Sequence, residues 1–199
     1  MTKNIAAAIL AGGKAQRLNG LAKGNILLAS GVTVIERLLS ELDQVGIKEV
    51  VISGENPAYQ RYQLPMIADQ RRHVGSLAGI EAGLTYYQDR FAATLFLPCD
   101  MPRITAQEIG TLINQYIAAG EKGIVFAATD VTNWHPLCAV VQNSLLADIC
   151  SSIDNGIRSI KEVWRTCSAK PVFFSNKAAF TNLNNWQDFA CAKMQKAIE

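Results

Sequence analysis

The sequence predicts an α/β protein, a three-layer α/β/α sandwich around a mostly parallel, mixed central sheet. Short apolar runs alternate with helical segments through the first two thirds of the chain. Capping and stop signals bracket the helical segments. With 199 residues, 49% of them hydrophobic and 18% charged, the chain has the size and composition of one globular domain that buries roughly 70% of its unfolded surface.

The elements follow in order. "NIAAAIL" (4–10) reads as a buried strand. "TVIERLLSELDQVG" offers Thr33 and Glu36 as a capping box, an apolar helical stripe, and Gly46 as a stop. "EVVIS" (49–53) is the next strand, "ENP" a turn, and "LPMIAD" (64–69) a third strand. "SLAGIEAGLTYY" (76–87) reads as a small-residue helix with Ser76 as a candidate cap. "TLFLP" (94–98) is a buried strand, and "TAQEIGTLINQYIAAG" repeats the capping box with Thr105 and Glu108 before Gly120. "GIVFAA" (123–128) and "LCAVV" (137–141) are further strands. Helical segments near 143–153, 158–166 and 185–197 surround "PVFF" (171–174).

The net charge is only +2, yet its distribution is uneven. Lys3, Lys14, Arg17 and Lys23 precede the first acid, Glu36. In "ILAGGKAQRLNGLAKGN" (9–25) these cations flank paired glycines just after a strand, which points to an anion as the balancing charge. Gly12 and Gly13 let a backbone approach phosphate oxygens closely. A tight strand-to-loop turn uses such glycines too. No GxxxxGK[ST] and no GxGxxG is present, which excludes a Walker-type loop and gives a dinucleotide fold little support.

In α/β sheets ligands gather at the carboxyl ends of strands, so the glycine loop, Asp69 and Asp100 should share one edge. Asp100 stands between Pro98 and Pro102, directly after a strand. It suits magnesium, which takes one or two carboxylates plus phosphates and waters, or it caps its loop. Asp69 has the same two readings. Asn182 and Asn184 point to one face if extended, and Asn185 with Asp188 reads as a helix cap. His73, Arg71 and Arg72 form a basic loop, and His135 reads as a satisfied or surface histidine. Five scattered cysteines without metal-like spacing fit a reduced, cytoplasmic protein. No apolar stretch reaches membrane-span length, and "IAAAIL" is too short for a signal-peptide core.

These segments together resemble the molybdenum cofactor guanylyltransferases, within the nucleotidyltransferases that open on an LAGG loop. The likeness runs through "LAGGKAQRLNGLAKG", "IAD", "GSLAGI", "LPCDMP", "HPLCAVV", "GIRSI" and "FTNLNNWQDF". It implies a Rossmann-like, nucleotide-diphospho-sugar transferase-like fold in a single domain, 1–199. A nucleotide-binding half covers about 1–100 and an acceptor-binding half about 101–199. It implies transfer of GMP from Mg-GTP to the terminal phosphate of molybdenum-molybdopterin, releasing pyrophosphate. Leu10, Ala11, Gly12, Gly13 and Lys14 then belong to the nucleotide site, with Ser53 and Asp69. Lys23 and Arg17 face the phosphates, Asp100 holds Mg2+, and Asn182 and Asn184 lie on the acceptor side. The implied partners are GTP, molybdopterin, molybdenum-cofactor-handling proteins and apo-molybdoenzymes, with no nucleic acid and no membrane.

The sequence departs from the family at three positions. Ala22 precedes Lys23 where an aspartate is usual, Asn19 replaces a glycine, and Ser53 replaces an asparagine near the base, with Asn56 as a nearby substitute. Three rival readings stand beside guanylyl transfer: cytidylyl transfer to the same acceptor, sugar-phosphate nucleotidyl transfer, and a nucleotide-binding adaptor without turnover. No Ser–His–Asp or Cys–His arrangement is expected, because an ionised phosphate needs alignment and neutralisation rather than a protein nucleophile.

Overall fold

Residues 4–12 and 22–183 are described in the structure, a computed structural model. β1 (Ile5–Leu10) is buried at all six positions. Ile5, Ala7 and Ile9 join one apolar cluster, and Ala6, Ala8 and Leu10 the other. That alternation is the period-two geometry of a strand covered on both faces. β1 lies between β2 (Val50–Ser53) and β4 (Ala93–Pro98), parallel to both.

Both expected capping boxes form, because each needs only residues three apart. Ahead of α1 (Val34–Gln44), the Glu36 N–H donates to Thr33 Oγ1 at 3.2 Å and the Thr33 N–H to Glu36 Oε2 at 2.7 Å. Thr105 and Glu108 repeat the box at α3 (Ala106–Ala118). Gly46 and Gly120, at φ 80° and 81°, follow these helices in the left-handed conformation that favours glycine.

α2 (Ser76–Tyr87) departs from its expected start. Its N-cap is Gly75, at φ 61° and ψ −142°, and no side chain caps it; Ser76 is the first helical residue. The reason for its small residues lies in the sheet. A Cβ on Gly83 would lie 2.6 Å from Phe96 Cε1 and 3.2 Å from Ala8 Cβ, so only glycine lets the helix lie this close to β1 and β4.

The third strand is shorter than expected. β3 spans only Met66–Ile67 at the sheet edge. Pro65, which lacks an N–H, still accepts from the Ile52 N–H at 2.9 Å. After β5 (Ile124–Ala128), β6 spans Trp134–Gln142 and so begins three residues before the expected strand. It runs antiparallel to both β4 and β5, and its register against β5 shifts between Phe126 and Ala127. Pro136 falls in that irregular stretch, where a missing N–H is tolerated.

A short 3-10 turn leads into α4 (Leu146–Asp154), followed by α5 (Ile160–Thr166) and β7 (Lys170–Phe173). Among the described residues, seven strands run in the order β3-β2-β1-β4-β6-β5-β7. Apolar residues of α1 and α3 pack on one face; those of α2, α4 and α5 pack on the other. These are the three layers of the predicted sandwich. The helix expected over 185–197, with Asn185 and Asp188 at its cap, lies outside the described residues. No described helix is long and apolar enough to cross a membrane.

Candidate functional site

The carboxyl ends of β1, β2 and β4 open on one pocket of about 1610 Å³. Leu10, Ala11 and Gly12 leave β1 there, and the Ala11 N–H donates to the Ser53 carbonyl at 2.8 Å. Gly54, at φ 148°, crosses beneath them. A Cβ on it would stand 3.0 Å from both the Ala11 carbonyl carbon and the Gly12 nitrogen, so this position needs glycine. Gly12 is different. Among the described residues, a Cβ there would meet Ser53 O at 3.8 Å and Asp69 Oδ2 at 3.9 Å, which are ordinary contacts.

Ser53 is buried at the end of β2. A Cβ on Gly79 would lie 2.9 Å from its hydroxyl, so α2 comes close to the pocket floor. Asp69 follows β3 and faces the same space. Burial, reinforced by the nearby charge of Glu55, holds its carboxyl above the usual aspartate value.

Lys23 begins a 3-10 turn (Lys23–Asn25) and pairs with Asp100 across 3.2 Å. The expectation that only a ligand balances this lysine is corrected: its partner is an acid 77 residues away. The departure at Ala22 reads differently as well. Ala22 packs into the apolar cluster of α1 and α3, and the carboxylate that orients the lysine is Asp100.

Asp100 is fixed through its own backbone and that of its neighbour. The Cys99 N–H donates to the Leu10 carbonyl at 3.1 Å, and the Leu183 N–H donates to the Asp100 carbonyl at 2.8 Å. The second bond carries Asn182 to the pocket. Of the residues singled out from sequence, Leu10, Ala11, Gly12, Lys23, Ser53, Asp69, Asp100 and Asn182 all line this one cleft. Gly13, Lys14, Arg17, Asn19 and Asn184 lie outside the described residues.

Other groups emerge only from the structure. Arg71, read from sequence as a loop cation, donates from Nε to Glu81 Oε1 at 2.8 Å and also pairs with Asp154 of α4. Glu81 is 4% exposed, in the middle of a small-residue helix. A lone acid there was the available signal. Trp134, His135, Pro136 and Leu137 form another wall of the pocket. His135 stacks on Phe180 with centroids 4.9 Å apart and its Nε2 lies 3.3 Å from Thr129 Oγ1. Burial, with Lys161 nearby, lowers its pKa and favours the neutral ring.

The described cysteine that lines the pocket, Cys99, is not set up as a nucleophile. Burial, and then the charge of Asp100, push the Cys99 thiol up to about 12, so it stays protonated at neutral pH. Cys138 is buried and shifted in the same direction.

The donor set suits magnesium in one particular way. Among the described residues no three His, Cys, Asp or Glu side chains are grouped to hold a metal ion. Asp100 as the one carboxylate ligand would leave the remaining coordination to phosphate oxygens and water, as Mg2+ prefers.

Fold and site together define a nucleotidyltransferase-type domain. The family model described as "MobA-like NTP transferase domain" matches residues 7–169, and the chain belongs to that family. A relative named molybdenum cofactor guanylyltransferase, from Serratia proteamaculans (strain 568), is 31% identical over 98% of this chain and 96% of its own length. One of the same name from Yersinia pestis (strain Pestoides F) is 30% identical over 94% of each chain. Among solved structures, molybdopterin-guanine dinucleotide biosynthesis protein A from Archaeoglobus fulgidus superposes with a TM-score of 0.78 at 23% identity, covering 98% of this chain and all of that one. The 4-diphosphocytidyl-2C-methyl-D-erythritol synthase of Anaerococcus prevotii gives 0.73 at 14% identity, over 98% of this chain and 96% of its own. At these identities the two structures speak for the fold.

Proposed function

We propose that this protein transfers GMP from GTP to the terminal phosphate of molybdenum-molybdopterin and releases pyrophosphate. The observation that carries this reading is one pocket into which the Leu10–Gly12 bend, Lys23 and Asp100 all converge, in a chain whose near full-length relatives are named for that reaction.

The chemistry explains the residue types. A phosphate monoester must approach the α-phosphorus of a triphosphate against like charge. Two unit charges 4 Å apart repel by about 1 kcal/mol in water and about 4 kcal/mol at an effective dielectric of 20. Lys23 exchanges its bond to Asp100 for phosphate oxygens, and Arg17 and Lys14 add positive charge from the same loop. Backbone N–H groups of Gly12 and Gly13 meet the phosphates. Among the described residues nothing crowds a Cβ at Gly12, and glycine there would let a ligand approach the backbone closely. Asp69 and Ser53 face the base. Asp100 would hold Mg2+, which would supply further charge neutralisation on the phosphates. The attacking phosphate is already ionised, so the protein aligns and neutralises and no side chain need serve as nucleophile.

The nucleotide thus occupies the half of the chain at about 1–100. The acceptor lies toward 101–199, where Asn182, Trp134 and His135 line the cleft. Pyrophosphate release with each of the four nucleoside triphosphates, Mg2+, and molybdopterin with and without bound metal tests the reading. Release with GTP alone is the expected outcome. Equal release with CTP or UTP overturns the guanine assignment, and GTP binding without release supports the adaptor instead.

A further inference from the structure

Trp134 and His135 are neighbours at the start of β6, so strand geometry sends their side chains to opposite faces of the sheet. Trp134 packs with the cluster of α2, α4 and α5. His135 takes the other face, where its ring stacks on Phe180 with planes 22° from parallel. Phe180 is 3% exposed and leans in turn on Phe174, so the imidazole rests on a buried aromatic support. Cys99, Met101 and Leu183 belong to the same cluster as Phe180, and they flank Asp100 and Asn182 in the chain. The bond from the Leu183 N–H to the Asp100 carbonyl brings the segment just after Phe180 to the side of the cleft where Asp100 lies.

The imidazole is only half satisfied. Nε2 lies 3.3 Å from Thr129 Oγ1, and the Thr129 N–H is itself fixed to the Asn133 carbonyl at 2.9 Å. Nδ1 has no hydrogen-bond partner among the described residues, although the residue lines the cleft. Burial, with Lys161 nearby, favours the neutral ring. A neutral imidazole carries one N–H, and the bond at one nitrogen decides what the other can do. The Thr129 hydroxyl, donating to Nε2, puts that hydrogen on Nδ1. The result is an uncharged donor on a braced ring, with no group among the described residues to receive it.

We propose that His135 is an acceptor-binding residue: Nδ1–H, oriented by Thr129 and Phe180, donates to an anionic oxygen of the acceptor molecule's terminal phosphate. This rests on the function proposed above and adds to it a group that holds the attacking phosphate.

Two substitutions separate the two ring nitrogens. Asparagine carries its amide nitrogen near the Nδ1 position and falls short of Thr129; glutamine reaches Thr129 and lacks the Nδ1 donor. Pyrophosphate release at saturating GTP and Mg2+ gives KM for metal-loaded molybdopterin, and calorimetry gives GTP affinity. His135→Gln should raise that KM roughly tenfold, the scale of one hydrogen bond to a charged group, and leave GTP affinity unchanged. His135→Asn should raise it less. A structural role predicts equal rises or the reverse order, because glutamine keeps the Thr129 contact, and either result overturns the proposal. So does an unchanged KM in His135→Gln, or a matching loss of GTP affinity. Dephosphorylated molybdopterin, added as a competitor, should inhibit the unmutated protein and His135→Gln equally. Weaker inhibition of the variant moves the contact to the pterin and overturns the proposal. Should the His135 variants fail to fold by circular dichroism, Thr129→Val removes the hydroxyl that orients the ring. It should give a smaller rise in the same KM at unchanged GTP affinity, and no rise overturns the proposal. If the unmutated protein releases no pyrophosphate with GTP and molybdopterin, the proposed function falls and this inference with it. If it does and the KM ignores His135, only the role of His135 falls.

Discussion

Two ion-pair systems border the cleft, and they are built to opposite ends. Lys23 meets Asp100 at a single contact, with side chains 26% and 20% exposed. Arg71 is held by two acids at once, and one of them, Glu81, has a side chain only 5% exposed. Glu81 also accepts from the Cys150 thiol at 3.2 Å, while its Oε2 has no hydrogen-bond partner among the described residues. A pair open to water and made through one contact can trade its partner for a ligand at little cost. A pair with one charge sunk in a helix–sheet interface cannot, because removing either member strands the other. The first is placed for exchange. The second fastens the loop between Asp69 and α2 to both α2 and α4.

This contrast can be broken experimentally, and the largest effect should come from the open pair. Asp100→Ala should lower kcat for pyrophosphate release about 10³-fold while the melting temperature hardly moves; retained magnesium-dependent turnover would remove Asp100 from the reaction. Arg71→Ala should do the reverse. It leaves Glu81 buried and unpaired, at a cost of about 3 kcal/mol in urea unfolding, and Arg71→Ala combined with Glu81→Gln should recover part of that loss. A stability change under 1 kcal/mol in the single variant would show that the anchor is decorative. Lys23→Ala should weaken GTP binding roughly 20-fold, the scale of one hydrogen bond to a charged group. The same variant should shift folding stability by less than about 1 kcal/mol, and a larger shift would erase the distinction between the two systems.

The smallest effect concerns pH. The Asp69 carboxyl is held above its ordinary value by burial and Glu55. In the folded state it therefore binds its proton more tightly than in the unfolded chain. Its ionised form opposes folding at neutral pH, and that penalty is relieved as pH falls through the raised pKa. Binding a base through the carboxylate needs the ionised form, so GTP affinity should begin to drop at a higher pH than an ordinary aspartate would give. Asp69→Asn should bind more weakly and lose that acid limb; an unchanged pH profile would take Asp69 out of base recognition.

Sequence alone disclosed what is local. The boxes at Thr33–Glu36 and Thr105–Glu108 depend on residues three apart, and they appear as expected. Asp69 and Asp100 could be placed on one rim because strand ends in such sheets share a side. What escaped depends on distance along the chain. The partner of Lys23 is 77 residues away and the Asp154 partner of Arg71 is 83 away, and no spacing rule reaches that far. The direction of β6 escaped too, because an apolar run is the same read either way. Ser76 looked like a cap because capping favours hydroxyls, but the backbone at Gly75 adopts a positive φ of 61°, which serine avoids.

The reversed strand has one more consequence. β1, β2 and β4 meet the cleft with their last residues, whereas β6 meets it with its first, Trp134 to Leu137. The connection entering β6 is a short turn in which Asp130 accepts from the Thr132 and Asn133 N–H groups and Val131 projects 78% into solvent. A graft or insertion at that turn would reshape one wall of the cleft and leave the glycine bend and Asp100 in place. The architecture therefore separates the part that can be rewritten from the part that must be kept.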